Sequence, residues 1–176
     1  MEDGAPDMTG EIIYTERLRS NKTEALFLAL TLLFLALFAW RVSTRTLDLL
    51  AIGLFCFFAL FLFYSLNYRT LVLTLTPRAL VLKFGIFTLS VPLHNVAGCH
   101  LDELPALQRL GGAGIHFMLV RHRYRVSFNF LEYPRLVLAL EEKRGPVQDV
   151  SFSTRQPEEL LRLVEEATFA YNPGKF

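Results

Sequence analysis

Two long apolar stretches fill most of the first half of the chain, and a short polar loop separates them. The first runs from Ala25 to Trp40 and the second from Leu49 to Leu66, and neither contains a charged residue. As α-helices they would rise roughly 24 and 27 Å. With the polar residues that flank them, both reach across a hydrocarbon core about 30 Å thick. The pattern predicts a transmembrane helical hairpin over residues 23–68, with spans at about 24–41 and 48–67.

Two other interpretations of the apolar stretches are disfavoured. A cleaved signal peptide also places a basic region before an apolar one, but about two dozen mostly polar residues come first and no small-x-small cleavage site follows Trp40. Two buried core helices of a soluble protein would each need a polar face. Neither stretch has one, and the rest of the chain is too small to cover both.

Basic residues near the ends of the spans predict the orientation of the hairpin. Arg41 and Arg45 lie in the connecting loop, whereas a larger set flanks the outer ends of the spans, namely Arg17, Arg19, Lys22, Arg69, Arg78 and Lys83. Since cytoplasmic segments carry the excess of lysine and arginine, both termini are expected in the cytoplasm, with the hairpin in the inner (cytoplasmic) membrane. Trp40, Tyr64 and Tyr68 are candidate membrane-interface anchors because aromatic residues favour that depth.

From Leu71 onward the apolar residues recur at every second position, which is typical of half-buried strands. The alternation predicts strands at 71–75, 80–84, 86–92, 95–101, 121–130, 135–140 and 148–153. A helix is predicted at the end of the chain, where Pro157, Glu158 and Glu159 form a favourable first turn and an apolar stripe follows. About seven antiparallel strands followed by a helix that closes one barrel mouth is the layout of a pleckstrin-homology (PH) barrel.

The predicted fold is a membrane-anchored α+β protein in three parts. A cytoplasmic N-terminal segment covers residues 1–22, and the transmembrane hairpin covers 23–68. A PH-like antiparallel β-barrel of about seven strands, capped by a C-terminal helix, covers 69–176.

Three stretches of the chain resemble a known family. They are GEIIYTERLRSNK before the first span, LTLTPRALVLKFGIFTLSVPLHNV with its Gly turn after the second, and VSFSTRQPEELLRLVEEA near the end. Their order resembles the bacterial PH-domain family, membrane proteins in which two transmembrane helices precede a PH-like domain. The resemblance covers nearly the whole chain and depends on the order of elements. It implies a fold and a membrane location rather than a particular chemistry.

Segment 121–130 offers a candidate lipid-binding stripe. Its alternation places Arg121, Arg123 and Arg125 on one face, opposite an apolar face. Each basic residue near an anionic membrane surface contributes about 1 kcal/mol. A solvated strand face with edge-protecting charges produces the same pattern. Arg78 and Lys83, at the first strand hairpin, are further candidate contacts, but they are too few for specific phosphoinositide binding.

A second candidate contact region is the irregular segment 101–114, which mixes leucines with a glycine cluster. Leu104, Leu107 and Leu110 are its candidate contacts for a partner or for the membrane interface. Irregular segments of this length are often functional. The same leucines also suit a short helix packed on the barrel.

Composition and motifs argue against several classes of function. A net charge of +1 gives no broad basic surface for nucleic acid. Cys56 and Cys99 lie far apart without a CxxC motif, and the histidines have no carboxylate or thiolate at metal-ligand spacing. Nucleophile motifs, phosphate loops and paired carboxylates in apolar settings are missing from the sequence, and the spans lack the ionisable residues of a transport pathway. We therefore expect no enzyme, cofactor, metal site or small-molecule substrate.

The sequence favours a non-enzymatic membrane-anchored module that binds protein partners at the inner membrane surface, as an accessory, assembly or scaffold subunit. Tethering beside the bilayer raises the effective concentration of such a module for neighbouring membrane proteins. The main alternative is an anionic-lipid-sensing or lipid-handling protein that uses the basic stripe. Self-association through the PH-like domain is a third possibility.

Overall fold

The computed structural model describes residues 11–44, 47–102 and 114–171. Two helices form a hairpin, α1 at Asn21–Thr44 and α2 at Leu49–Asn67. Both are long and apolar enough to cross a membrane, and only 11% of the most apolar stretch of each is buried within the protein. Because the core helices of soluble proteins are mostly buried, this exposure favours the membrane interpretation.

Polar side chains cap the starts of both helices. Ser20 Oγ accepts a hydrogen bond from the N–H of Thr23 at 3.0 Å, and Asp48 Oδ1 accepts one from the N–H of Ala51 at 2.9 Å. These bonds satisfy backbone donors that a helix start leaves open. Asp48 also forms an ion pair with Arg41 across the loop, which ties the end of α1 to the start of α2.

Aromatic rings pack the two helices against each other. The ring centroid of Phe34 lies 5.1 Å from that of Phe57 and 5.3 Å from that of Phe61, both stacked. Nearer the loop, Phe38 and Phe55 are 5.4 Å apart. Pairs at these distances stabilise an interface beyond simple area burial.

The first sheet joins residues from both sides of the hairpin. Its strands are β1 (Tyr14–Arg19), β2 (Thr70–Leu75), β3 (Ala79–Phe84) and β4 (Phe87–Pro92), in that order and all antiparallel. Since β1 precedes α1 and β2 follows α2, the hairpin is an insertion between two paired strands. The start of α1 and the end of α2 therefore lie beside the same sheet, as expected of a chain that crosses a membrane twice.

The second sheet has five strands in a crossed order. After a short 3₁₀ turn at Leu93–Asn95 come β5 (Val96–Leu101), β6 (Gly114–Val120), β7 (Arg123–Asn129), β8 (Arg135–Arg144) and β9 (Val147–Ser153). The spatial order is β5-β8-β9-β7-β6. The β8–β9 hairpin folds back so that β9 lies between β8 and β7, and β9 is consequently parallel to β7.

This arrangement corrects the predicted antiparallel barrel of about seven strands. The seven predicted strands are present, but β1 and β6 are added and the strands form two separate sheets instead of one closed barrel. β1 also joins a segment predicted to be separate, residues 1–22, to the domain after the hairpin. Neither added strand has a clear signal in the sequence. The pairing of β1 with β2 across the long apolar insertion leaves no local pattern, and the β6 sequence GIHFMLV does not alternate apolar and polar residues.

The two sheets and the last helix enclose one apolar core. Helix α3 (Pro157–Tyr171) turns Leu160, Val164 and Ala167 inward, as its predicted stripe requires. The ring of Phe84 in β3 meets Phe130 edge to face at 5.0 Å. The fully buried core side chains include Leu18, Leu71, Leu73, Leu75, Leu80, Leu82, Phe84, Phe130, Leu136, Leu138 and Phe152.

Candidate membrane and partner-binding surfaces

The exit of α2 is packed tightly against both sheets. Tyr68 follows the last helical residue and is only 6% exposed. Its ring lies 5.0 Å from that of Phe84, and a Cβ at Gly114, which has a φ of +91°, would stand 2.7 Å from the same ring. Only glycine permits both this conformation and this approach. The domain is therefore joined to the hairpin through packed contacts, without a flexible linker.

The predicted interface anchors have different environments. Trp40 is exposed near the loop end of α1, as an anchor requires. Tyr64 is half buried and its ring contacts those of Phe27 and Tyr68 at 5.5 and 5.1 Å. Tyr68 belongs to the buried junction and is unavailable to lipid headgroups, which differs from its predicted role.

The predicted basic stripe does not form. Arg125 is 5% exposed, and its Nη1 lies 3.0 Å from Asp102 Oδ1. Arg123 binds Asp149 with Nη2 and Oδ1 2.8 Å apart, and Asp149 Oδ2 lies 3.8 Å from Arg125. Arg121 occupies a left-handed turn with a φ of 49°, outside the strand. Carboxylates thus pair with two of the three arginines expected to face lipid, and Arg125 is withdrawn from the surface altogether.

A buried polar layer surrounds these ion pairs on the face of the second sheet away from the apolar core. Ser127, Asn129 and Ser151 are fully or almost fully buried there. Within the described ranges, Asn129 Nδ2, Arg125 Nε and both ring nitrogens of His116 find no hydrogen-bond partner. Burial, and secondarily the charge of Arg135, lowers the pKa of His116, so its ring is neutral near pH 7.

The second cysteine lies in a cavity between β5 and α3. The cavity measures about 490 Å³ and Val96, Cys99 and Val164 are among its lining residues. Burial, together with the nearby charge of Glu165, raises the pKa of the Cys99 thiol to about 12. The thiolate is the reactive form of cysteine, so Cys99 is held in its unreactive form.

The basic residues of the first sheet lie close to the hairpin exit. Cross-strand register places Arg17 beside Val72 and Val72 beside Lys83, with Arg19 beside Thr70 at the end of the sheet nearest the helices. Arg17, Arg19 and Lys83 are exposed on the outer face of the sheet. In the part of the chain that the structure covers, none of the three has an ion-pair partner. Arg78 is exposed at the far end of β2, in the turn to β3.

An apolar cleft separates the free edges of the two sheets. It measures about 360 Å³ and is lined by residues of β4, β6, β7, β8 and β9, among them Phe87, Leu89, Val91, Phe117 and Leu140. Among its described lining residues the polar ones are Thr88 and Arg144. Phe117, one of its lining residues, is 68% exposed, and Leu119, two residues further along β6, is 59% exposed. Its volume lies within the range of ligand-binding pockets, about 300–1,000 Å³.

Sequence reasoning missed the features that define these surfaces. Leu104, Leu107 and Leu110 lie outside the described residues. Asp102 and Asp149 were not singled out as partners of the arginines, although an aspartate within an apolar strand pattern, as in VQDVSF, signals a buried charge that needs a partner. The alternation places Ile86 and Phe87 in an ordinary strand, and it gives no sign that this turn lies against α2.

Comparison with known proteins adds no identification. The chain matches no protein-family model, no curated protein and no solved structure. The resemblance to the bacterial PH-domain family therefore stays a prediction.

Proposed function

We propose that this chain is a non-enzymatic membrane-anchored module with a PH-like domain, which binds a protein partner at the inner membrane surface as an accessory, assembly or scaffold subunit. The observation that carries the proposal is the apolar cleft between the free edges of β4 and β6, held next to the exit of the hairpin. Its chemistry suits an apolar protein segment, because its described polar lining is limited to Thr88 and Arg144.

The edges that border the cleft are suited to an extended partner segment. In the described topology β4 ends one sheet and β6 ends the other, so each has an outer side without a neighbouring strand. An open strand edge presents unpaired N–H and C=O groups and readily accepts an added strand. Apolar side chains of the added strand would fill the cleft, while its backbone would bond to an edge.

The position of the cleft favours a partner in the same membrane. Phe87, at one end of the cleft, has its ring 6.4 Å from that of Phe63 in α2. A partner segment that leaves the bilayer beside the hairpin reaches the cleft without diffusing through the cytoplasm. Tethering of this kind produces effective concentrations in the millimolar range for short spans, so a modest intrinsic affinity is sufficient.

The lipid-sensing alternative loses its predicted stripe, because Arg123 and Arg125 are engaged by Asp149 and Asp102. The proposal gives Cys99 no catalytic role, because its raised pKa keeps that thiol protonated. Asp102, Arg125 and Asp149 are almost closed to solvent.

Photocrosslinking in living cells tests the proposal. A benzoylphenylalanine in place of Phe117 should form a discrete adduct with a membrane protein, identified by mass spectrometry. The matched control places the same group at Phe169, which is also exposed but lies on α3 away from the cleft. Adding Leu119→Glu to the Phe117 variant should abolish the adduct, because it puts a charge beside Phe117 on the same face of β6 and so opposes an apolar partner. Identical adducts at both positions would contradict the proposal.

A further inference from the structure

The turn between β3 and β4 lies against the last turn of α2. A Cβ at Gly85, which has a φ of +60°, would stand 2.3 Å from the backbone oxygen of Asn67, so the two backbones are in direct contact. The ring of Phe87 is 6.4 Å from that of Phe63. Phe63 stands about one helical turn, roughly 5 to 6 Å, before the end of α2. The tip of the strand turn therefore reaches the depth of the last turn of an apolar span.

The tip itself is apolar and exposed. Ile86 is 70% exposed and Phe87 41%. On α2 the neighbouring Leu66 and Phe63 are exposed as well. Phe63 and Phe87 meet, and Leu66 and Ile86 are the exposed neighbours of Asn67 and Gly85, where the two backbones touch. Exposed apolar side chains thus continue from the span onto the domain, and a surface of this kind marks a contact with a membrane or another apolar partner.

Cations stand directly behind this apolar tip. Lys83, in β3, is two residues before Gly85. The strand register aligns Lys83 with Arg17 of β1 across the intervening β2, and both side chains are on the outer face of the first sheet. Arg19 lies one residue pair, about 7 Å along the strand, closer to the helix than Arg17. The order from the bilayer outward is thus apolar tip, then long basic side chains able to reach back to the phosphates.

We propose that the β3–β4 turn is a third membrane contact of this protein. Ile86 and Phe87 insert at the interface of the leaflet on the domain side, and Arg17, Arg19 and Lys83 bind the phosphates of anionic phospholipids. The inference rests on the membrane anchoring in the proposed function. A bilayer is favoured as the occupant because the apolar surface is continuous with the spans and because the unpaired charges are complementary to an anionic leaflet.

Depth-dependent fluorescence quenching tests this contact in the full-length protein. In a variant with Cys56 and Cys99 replaced by alanine, Ile86→Cys carries the fluorophore nitrobenzoxadiazole. The protein is reconstituted into phosphatidylcholine vesicles that contain either doxyl-labelled phosphatidylcholine or doxyl-labelled phosphatidylglycerol. We expect quenching at residue 86 by label near the headgroup, with none at Lys143→Cys, on exposed β8. Stronger quenching by the anionic lipid is expected at residue 86.

Removal of two cations tests the headgroup contact. Each basic residue near an anionic surface raises affinity about fivefold. Arg17→Gln/Lys83→Gln should therefore reduce the preference for phosphatidylglycerol at least several-fold, because these cations stand beside the tip. The matched control, Arg121→Gln/Lys143→Gln, removes the same charge elsewhere on the domain and should leave the preference unchanged. Equal effects of the two double variants would overturn the assignment of the phosphate-binding residues.

A fluorophore at Leu60→Cys, in α2, separates failure of this inference from failure of the anchoring. Quenching at residue 60 without quenching at residue 86 would overturn the third contact and leave the hairpin in the membrane. It would also leave the apolar tip to a protein partner. Absence of quenching at both positions would contradict the anchoring itself.

Discussion

The basic residues of the two sheets carry the same charge in opposite surroundings. Arg123 and Arg125 of β7 follow each other in a pattern that resembles an exposed stripe, yet Asp102 and Asp149 neutralise both and Arg125 is buried. Arg17 and Lys83 are far apart in sequence, but pairing through β2 brings them together, exposed and without ion-pair partners among the described residues. The partners that the fold supplies, rather than the spacing along one strand, decide which charges face a ligand.

The largest expected difference between the two regions is in stability. Arg125→Leu should lower the free energy of unfolding by about 3–5 kcal/mol, because it removes one member of a buried ion-pair cluster and leaves the charge of Asp102 buried. Lys83→Leu, on the exposed face, should change it by less than about 0.5 kcal/mol. Chemical unfolding of both variants in the same detergent measures the contrast. Similar losses for the two would show that the two regions do not differ as described.

A glycine pair tests the packed junction between the hairpin and the first sheet. Gly85 and Gly145 have nearly equal positive φ angles, +60° and +61°. A Cβ added at Gly85 would overlap the backbone of Asn67, whereas a Cβ added at Gly145 would meet nothing within 4 Å. Gly145→Ala should cost about 1–2 kcal/mol for its conformation alone. Gly85→Ala should cost about 1–3 kcal/mol more, because the backbone of α2 must move to relieve the overlap. Thermal unfolding measures both; equal costs would mean that the turn does not touch the helix.

The smallest expected effect concerns pH and the polar layer of the second sheet. His116 has a lowered pKa in the folded state, so the unfolded state binds more protons as the pH falls below about 6.5. Stability should therefore decrease between pH 7 and pH 5, and His116→Gln should flatten this decrease. His122→Asn, at an exposed turn position with a φ of 66° that asparagine tolerates, is the control. Identical pH profiles for wild type and His116→Gln would contradict the burial effect.

The elements with strong local patterns could be predicted from the sequence. The apolar stretches became α1 and α2, and the Leu71–Leu75 alternation became β2 with its inner face buried as expected. The C-terminal helix begins at Pro157, where the sequence placed it. These elements depend on periodicity and capping, which are properties of contiguous residues.

The features that define the candidate surfaces depend on long-range pairing, which periodicity does not encode. The join of β1 to β2 spans the whole hairpin, and it alone aligns Arg17 with Lys83. The parallel pairing of β7 with β9 places Asp149 beside Arg125, which converts a predicted surface residue into a buried one. Tyr68 became part of the core for a similar reason, because Gly114 of β6 meets its ring.

Cysteine labelling from the two sides of the membrane tests most directly whether the hairpin crosses it and holds the domain on the inner surface. In a protein with Cys56 and Cys99 replaced by alanine, single cysteines are introduced at exposed Leu47 in the loop, Thr15 in β1 and Lys143 in β8. An impermeant maleimide should label Leu47→Cys in intact cells, and should label Thr15→Cys and Lys143→Cys only in inside-out vesicles. Labelling of all three from one side, or of Lys143→Cys in intact cells, would contradict this topology.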